Sequence, residues 1–280
     1  MSIYINWVQV SLNRVARAGL KEDGELGRLT RDAVAAFQEG TGLRPADGVV
    51  RPPTVAALVA AGAEPPPVWA VSGLSRKYET GGRGSTTISS GIGDQGGVSY
   101  GSYQMTSANG GTVARFVSQP DFPWRNDFAH LTPGSDEFSA TWTDIATSFP
   151  DAFREAEHEF IKRTHFHPLC DTIKTEDGVD ITTCPHAMQD VIWSTAVQHG
   201  PGANVVHQAF AQMRNAGTFN VANPAFESNA IVAIYDERGR KDANGVLVHF
   251  SHNSQTVQDG VAKRFVDEKA DALFMLDFGV

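Results

Sequence analysis

The chain has 280 residues, 41% of them hydrophobic and 20% charged, the composition of a soluble globular protein with room for one large body or one large and one small. A formal net charge of −9 argues against a nucleic-acid partner, which would want a basic face. No apolar run approaches the roughly 18 residues that span a bilayer, so no membrane insertion is expected.

The opening "MSIYINWVQVSLNRV" lacks a basic start followed by an apolar stretch and a small-residue cleavage site, so it reads as a first helix and not as a secretory signal. Val8, Leu12 and Val15 form its apolar stripe. An internal repeat follows: "DGELGRLTRDAV" (23–34) aligns without gaps on "DGVVRPPTVAAL" (47–58). Both copies share Asp-Gly, a Thr seven residues after the Asp, and an Ala three after that. Asp-Gly makes a tight turn, and the Thr is expected to cap a helix. Ala33, Val34 and Phe37 lie on one face of the first such helix, and Gly40 suits its C-terminal cap. The result is a small three-helix unit. Its elements Val8-Gln9, Leu12-Asn13, the two Asp-Gly turns, Phe37-Gln38 and Gly42-Leu43 resemble the peptidoglycan-binding domain found at the ends of many cell-wall hydrolases. Arg51 departs from that pattern, which usually has Gly there.

In "AAGAEPPPVWAVSG" (60–73) three consecutive prolines favour an extended spacer. The expected organisation is therefore a wall-binding domain over 1–62, a linker over 63–73 and a catalytic domain over 74–280. Most of the last reads as helix. "DAFREAEHEFIKR" (151–163) places Phe153, Phe160 and Ile161 near one side. "CPHAMQDVIWSTAVQHGPG" (184–202) has Pro185 at its start, a stripe of Met188, Val191, Ile192, Thr195 and Ala196, and a Gly200-Pro201 stop. "ANVVHQAFAQM", "NAIVAIYDERG" and "VAKRFVDEKADALFML" add three further helices.

Against that background "YETGGRGSTTISSGIGDQGGVSYGSYQ" (78–104) is the least helical part, expected as loops or a short hairpin. It is no nucleotide loop, because it lacks GxxxxGK[ST] and follows no apolar strand. Interleaved tyrosines and isoleucines also make it too structured in character for a tether. It carries two carboxylates, Glu79 and Asp94. Glycoside cleavage needs such a pair: one acid protonates the leaving oxygen, and a second carboxylate activates water or attacks the sugar. The acid belongs where burial raises its pKa, the base where solvent keeps it ionised. Glu79 behind an aromatic and Asp94 in a glycine loop fit those two places. Glycines let backbone approach a sugar, and Tyr100 or Tyr103 would stack on a pyranose face.

The stretch from Tyr78 to Met105 resembles the lysozyme-like domain of some phage endolysins and the peptidoglycan-hydrolase extension of certain type VI secretion spike proteins. The likeness continues into "MQDVIWSTAVQHGPGA" and "IVAIYDERG" and covers most of 75–270. More distantly it is similar to chitosanases and to the Glu plus "GLMQ"-like motif of soluble lytic transglycosylases, here "GSYQM". The resemblance implies Glu79 as general acid and Asp94 as the second carboxylate. Transglycosylases lack that partner, so hydrolysis is implied. It also implies a mainly α, lysozyme-like fold with a short hairpin, and action on peptidoglycan glycan strands without a cofactor or metal.

Tyr103 and Gln104 belong to the motif and are expected at the substrate. Ser194 with Gln198, and Thr195 with His199, share helix faces that line a cleft or bond the core. Glu237 and Arg238 are expected as an ion pair beside the site. A rival cluster, His165, His167, Cys170, Cys184 and His186, offers zinc ligands and hence a zinc peptidase cutting the cross-links. However, no HExxH is present. The two cysteines are otherwise a disulfide or free thiols. On family habit the expected setting is a monomeric endolysin of a phage infecting a Gram-negative host. It would be held in the host cytoplasm until a holin-type pore admits it to the wall, with a type VI effector as the alternative. Muramidase action is expected on the same grounds.

Overall fold

The computed structural model describes residues 2–68, 71, 84–91, 97–108 and 111–279. Helix accounts for 60% of it and strand for 3%, so the chain is mainly α. It divides into two units. One comprises Met1–Ser75, Cys170–Thr195 and Ala203–Val280, the other Arg76–Leu169 and Ala196–Gly202.

In the first unit, α1 (Ile3–Ala16), α2 (Arg28–Gly40) and α3 (Pro52–Ala60) form the three-helix module. Ile5, Val8, Leu12, Val34 and Leu58 are buried completely. The repeat has a polar reason that the apolar stripes conceal. Gln9 is buried; its Nε2 donates to Asp23 Oδ1, the Glu25 carbonyl and Thr30 Oγ1, and its Oε1 accepts from Gly24 N. Gln38 does the same one repeat later, donating to the Val49 carbonyl and Thr54 Oγ1 and accepting from Gly48 N. The repeated threonines are therefore not caps, as the sequence suggested. They lie inside their helices and accept from a buried glutamine, adding to the partners that keep its amide satisfied in the core.

Gly40 is likewise the last residue of α2 and not its terminator. The left-handed position is Gly42, φ 74°, and Leu43 N closes the turn on the Gln38 carbonyl. Gly48, φ 76°, passes so close to the Arg31 carbonyl that a Cβ would stand 2.6 Å from its oxygen. Arg51 forks onto Asp47 at 3.0 and 2.9 Å. That hydrogen bond holds the Asp47 carboxyl down at about 2.

The second unit contains the short antiparallel pair β1 (Ser99–Tyr100) and β2 (Met105–Thr106), with Ile88 bridged to Tyr100 on the other side. Four helices follow: α4 (Thr112–Val117), α5 (Arg125–Phe128), α6 (Asp136–Ser148) and α7 (Pro150–Ile161). Ser135 caps α6 by accepting from Phe138 N. A π-helical turn, Lys162–Phe166, continues α7, and the Thr164 hydroxyl donates to the Phe160 carbonyl. The core here is aromatic. Trp142 meets Phe153 edge-on at 4.8 Å, Phe116 lies 4.6 Å from Phe122, and Phe138 lies 4.9 Å from Phe128. Such tilted and edge contacts add to the burial of large rings.

Beyond these come α8 (His167–Asp177), α9 (His186–His199), α10 (Val205–Asn215), α11 (Phe226–Arg238) and α12 (Gln255–Phe278). Within the first unit Phe210, Phe226, Ile231 and Ile234 are buried, and so is a charged pair. Glu268 accepts from Ser194 Oγ, Tyr235 Oη and Arg264 Nε, and it pairs with Arg238 at 3.4 Å. The Arg238 guanidinium lies over the rings of Tyr235 and Phe265. At the far end of α12, Phe278 packs against Tyr4 and Trp7 of α1, with ring centroids 5.2 and 5.6 Å apart.

Candidate functional site

The glycine-rich stretch forms a built structure wherever the chain is described. Residues 84–91 run beside β1: Gly101 N donates to the Thr87 carbonyl, Ser89 N to the Ser99 carbonyl, and Ser99 N to Ser89 Oγ. The turn between β1 and β2 is the "GSYQ" of the motif. Gly101 takes φ 74° and Gln104 takes φ 49°, a left-handed conformation uncommon for a residue with a side chain. Gln104 secures it by donating from Nε2 to the Gly101 carbonyl at 3.0 Å. Backbone held in such a region costs on the order of 1–3 kcal/mol and persists where its surroundings over-determine it.

Those surroundings come from two consecutive residues of α7. Glu157, fully buried, accepts from Ser102 N at 3.0 Å through Oε1. Its Oε2 accepts from the hydroxyls of Ser85 at 2.5 Å and Ser102 at 3.2 Å. His158 pairs through Nδ1 with the Tyr103 hydroxyl at 3.0 Å. Gly101 lies against the Glu157 carboxylate, and any Cβ there would collide with Oε1. Burial is the largest influence on Glu157 and pushes its pKa up to about 7, against the opposing pull of its three donors and of the Arg154 charge. On the other side, Trp142 Nε1 donates to the Ser85 carbonyl at 2.8 Å.

Sequence reasoning passed over Glu157, yet the signal was there. It stands four residues after Phe153 and three before Phe160, on the buried stripe of an amphipathic helix. A carboxylate at such a position needs partners.

The expected site residues fall in different places. Glu79 and Asp94 lie outside the described residues. Tyr103 and Gln104 lie together in the turn, the first almost buried and the second half-buried. Tyr100 is not a stacking platform. It is wholly buried, its ring is packed on Phe138 and Trp142, and its hydroxyl is held by Ser139 and the Gly134 amide. Its place on β1, facing the aromatic core, takes both ring faces away from any sugar. Ser194 is also a core residue, fixed between Glu268 and Arg238. Gln198 and His199 are half-buried near the end of α9.

Glu237 and Arg238 do not pair with each other. Glu237 binds Gln212, Arg240 and His249, whereas Arg238 meets Glu268. Adjacent helical residues point about 100° apart, so neighbours in sequence face different partners. Cys170 and Cys184 are free thiols, and burial pushes them up to about 12 and about 11. Among the described residues no three His, Cys, Asp or Glu side chains are grouped to hold a metal ion. None of the described helices is long and apolar enough to cross a membrane.

Residues 71–269 match the family model described as type VI secretion system spike protein VgrG3-like, C-terminal. The chain belongs to this family. Residues 5–58 match the model of a putative peptidoglycan binding domain, over the three helices stitched by Gln9 and Gln38. A relative is the type VI secretion system spike protein VgrG3 of Vibrio cholerae serotype O1, 35% identical over 204 residues. That alignment takes in 67% of this chain and 20% of the relative, so the chain spans about a fifth of that protein's length. Both the GSYQ turn and Glu157 fall within the VgrG3-like region.

Proposed function

We propose that the chain is a peptidoglycan hydrolase that cleaves β-1,4 glycosidic bonds of the wall, acting as an N-acetylmuramidase. Glu79 is the general acid that protonates the leaving oxygen, and Asp94 is the second carboxylate that activates water. Gln104, half-buried in the fixed turn, accepts a hydrogen bond from a sugar hydroxyl, and Tyr103, tied to His158, belongs to the same substrate-binding turn. What carries the reading is a conjunction in one chain. A wall-binding match precedes a VgrG3-like region, and the GSYQ turn of that region is held in a defined left-handed geometry.

Two settings suit this chemistry. A phage endolysin, released to the wall through a holin-type pore, fits the wall-binding module at 5–58. The family match over 71–269 favours the other, a wall-degrading effector of the type VI kind. Release from a bacterium competent for type VI secretion, compared with a secretion-deficient one, separates them.

The decisive test of the chemistry is Glu79→Gln. It is expected to slow turbidity loss of a wall suspension by at least about a hundredfold, the lower bound for losing a general acid. Sedimentation with the wall should be unchanged. Undiminished lysis by the folded variant would end the glycosidase reading. Mass spectrometry of the digest should show new muramic acid reducing ends; anhydro ends would mean a transglycosylase instead.

A further inference from the structure

We infer that Glu157 is the positioning residue of this site, clamping the Ser85 and Ser102 segments to α7 so that the GSYQ turn keeps its left-handed geometry. The inference rests on the hydrolase reading for its consequence in catalysis, though the clamp itself stands on geometry alone. Three donors from two separate stretches converge on one buried carboxylate, Ser85 Oγ, Ser102 N and Ser102 Oγ. In sequence these stretches adjoin the two proposed carboxylates: Ser85 comes six residues after Glu79, and Ser102 comes eight after Asp94.

A carboxylate placed here for packing alone would be a poor choice, since an apolar side chain of the same size would fill the space without desolvating a charge. Its value lies in direction. Oε1 fixes a backbone amide, Oε2 ties two hydroxyls, and the closeness of Gly101 fixes how near the turn approaches α7. The next residue, His158, repeats the arrangement for Tyr103. Consecutive residues of one helix thus hold consecutive residues of one turn.

Glutamine can take over each of these contacts. Its oxygen accepts from Ser102 N, and its amide donates to the two hydroxyls, which accept as readily as they donate. Leucine can take over none. The test compares Glu157→Gln, Glu157→Leu and Ser102→Ala with the intact chain, alongside Glu79→Gln. Steady-state rates on soluble glycan fragments of the wall, sedimentation with intact wall, circular dichroism and exchange of the Ser102 amide are followed.

Glu157→Gln is expected to stay within about threefold of the parent kcat. Glu157→Leu should lose at least about tenfold in kcat with KM little changed, keep its wall sedimentation, and show faster exchange at Ser102. Ser102→Ala should move in the same direction by a smaller factor, which decides the matter if the leucine variant does not fold. A folded Glu157→Gln as inactive as Glu79→Gln would make Glu157 a participant in the chemistry and overturn the positioning role. Parent-like kcat and Ser102 exchange in Glu157→Leu, or parent-like kcat in Ser102→Ala, would overturn it too. If Glu79→Gln keeps full activity the hydrolase reading fails separately, and the Ser102 amide still reports on the clamp.

Discussion

Glu157 should leave a signature in stability as well as in rate. Its ordinary value is 4.5, and burial in the folded chain raises it to about 7. Below pH 4.5 the folded and unfolded chains both hold the proton. As pH rises from 4.5 towards 7 the unfolded chain releases it first, so the folded state binds more protons and stability falls with pH. The loss is complete above about 7. The difference, 7 − 4.5 = 2.5 units, corresponds to about 3 kcal/mol at about 1.4 kcal/mol per unit. Full burial means solvent screening does not reduce that figure.

Glu157→Gln cannot ionise and lacks this component, while every other titrating group is shared by the two proteins. Thermal unfolding of both at pH 4.5 and pH 8, followed by near-ultraviolet circular dichroism of the aromatic core, isolates it. The parent's apparent Tm should fall relative to the variant's by about 6–12 °C across that range, taking about 2–4 °C per kcal/mol. Parallel pH profiles would refute the reasoning: they would show that the buried carboxyl titrates as it does unfolded, its hydrogen-bonded cage fully offsetting its desolvation.

Gln38→Leu strips the buried Gly48 amide of its acceptor and the Val49 carbonyl of a donor. It should cost about 2–3 kcal/mol and weaken sedimentation with the wall while leaving turnover of soluble glycan intact. Glu268→Leu removes the carboxylate lying between Arg238 and Arg264 and leaves buried positive charge behind. A loss of about 3–5 kcal/mol is expected by chemical denaturation.

The helices were legible because their cores are apolar at regular spacing: Phe153 with Phe160, and Met188 through Ala196, are buried as their stripes require. The repeat was legible too, but its meaning was not. A threonine three residues into a helix looks like a cap in sequence, and only the fold reveals that a glutamine from a preceding helix reaches it. Tyr100 was misread because glycine neighbours suggest room for a sugar, whereas pairing with Met105 on one side and Ile88 on the other buries both residues of β1. Glu157 was missed for the opposite reason. Its neighbours form a regular amphipathic helix, and its partners come from 55 and 72 residues away. The stripe marks Glu157 as buried, but nothing periodic names partners that far away in the chain.

The contact of Phe278 with Tyr4 and Trp7 has a consequence for protein engineering. Exchanging the N-terminal module for another would treat the parts as beads on a string. Here the module's aromatic face is also the seat of the last helix. Pro52 completes that seat at the edge of Gly279, where a Cβ would stand 2.7 Å from its Cγ. A replacement module chosen without regard to this face would bare Phe278, buried now. A graft that folds must therefore carry the Tyr4, Trp7 and Pro52 surface with it.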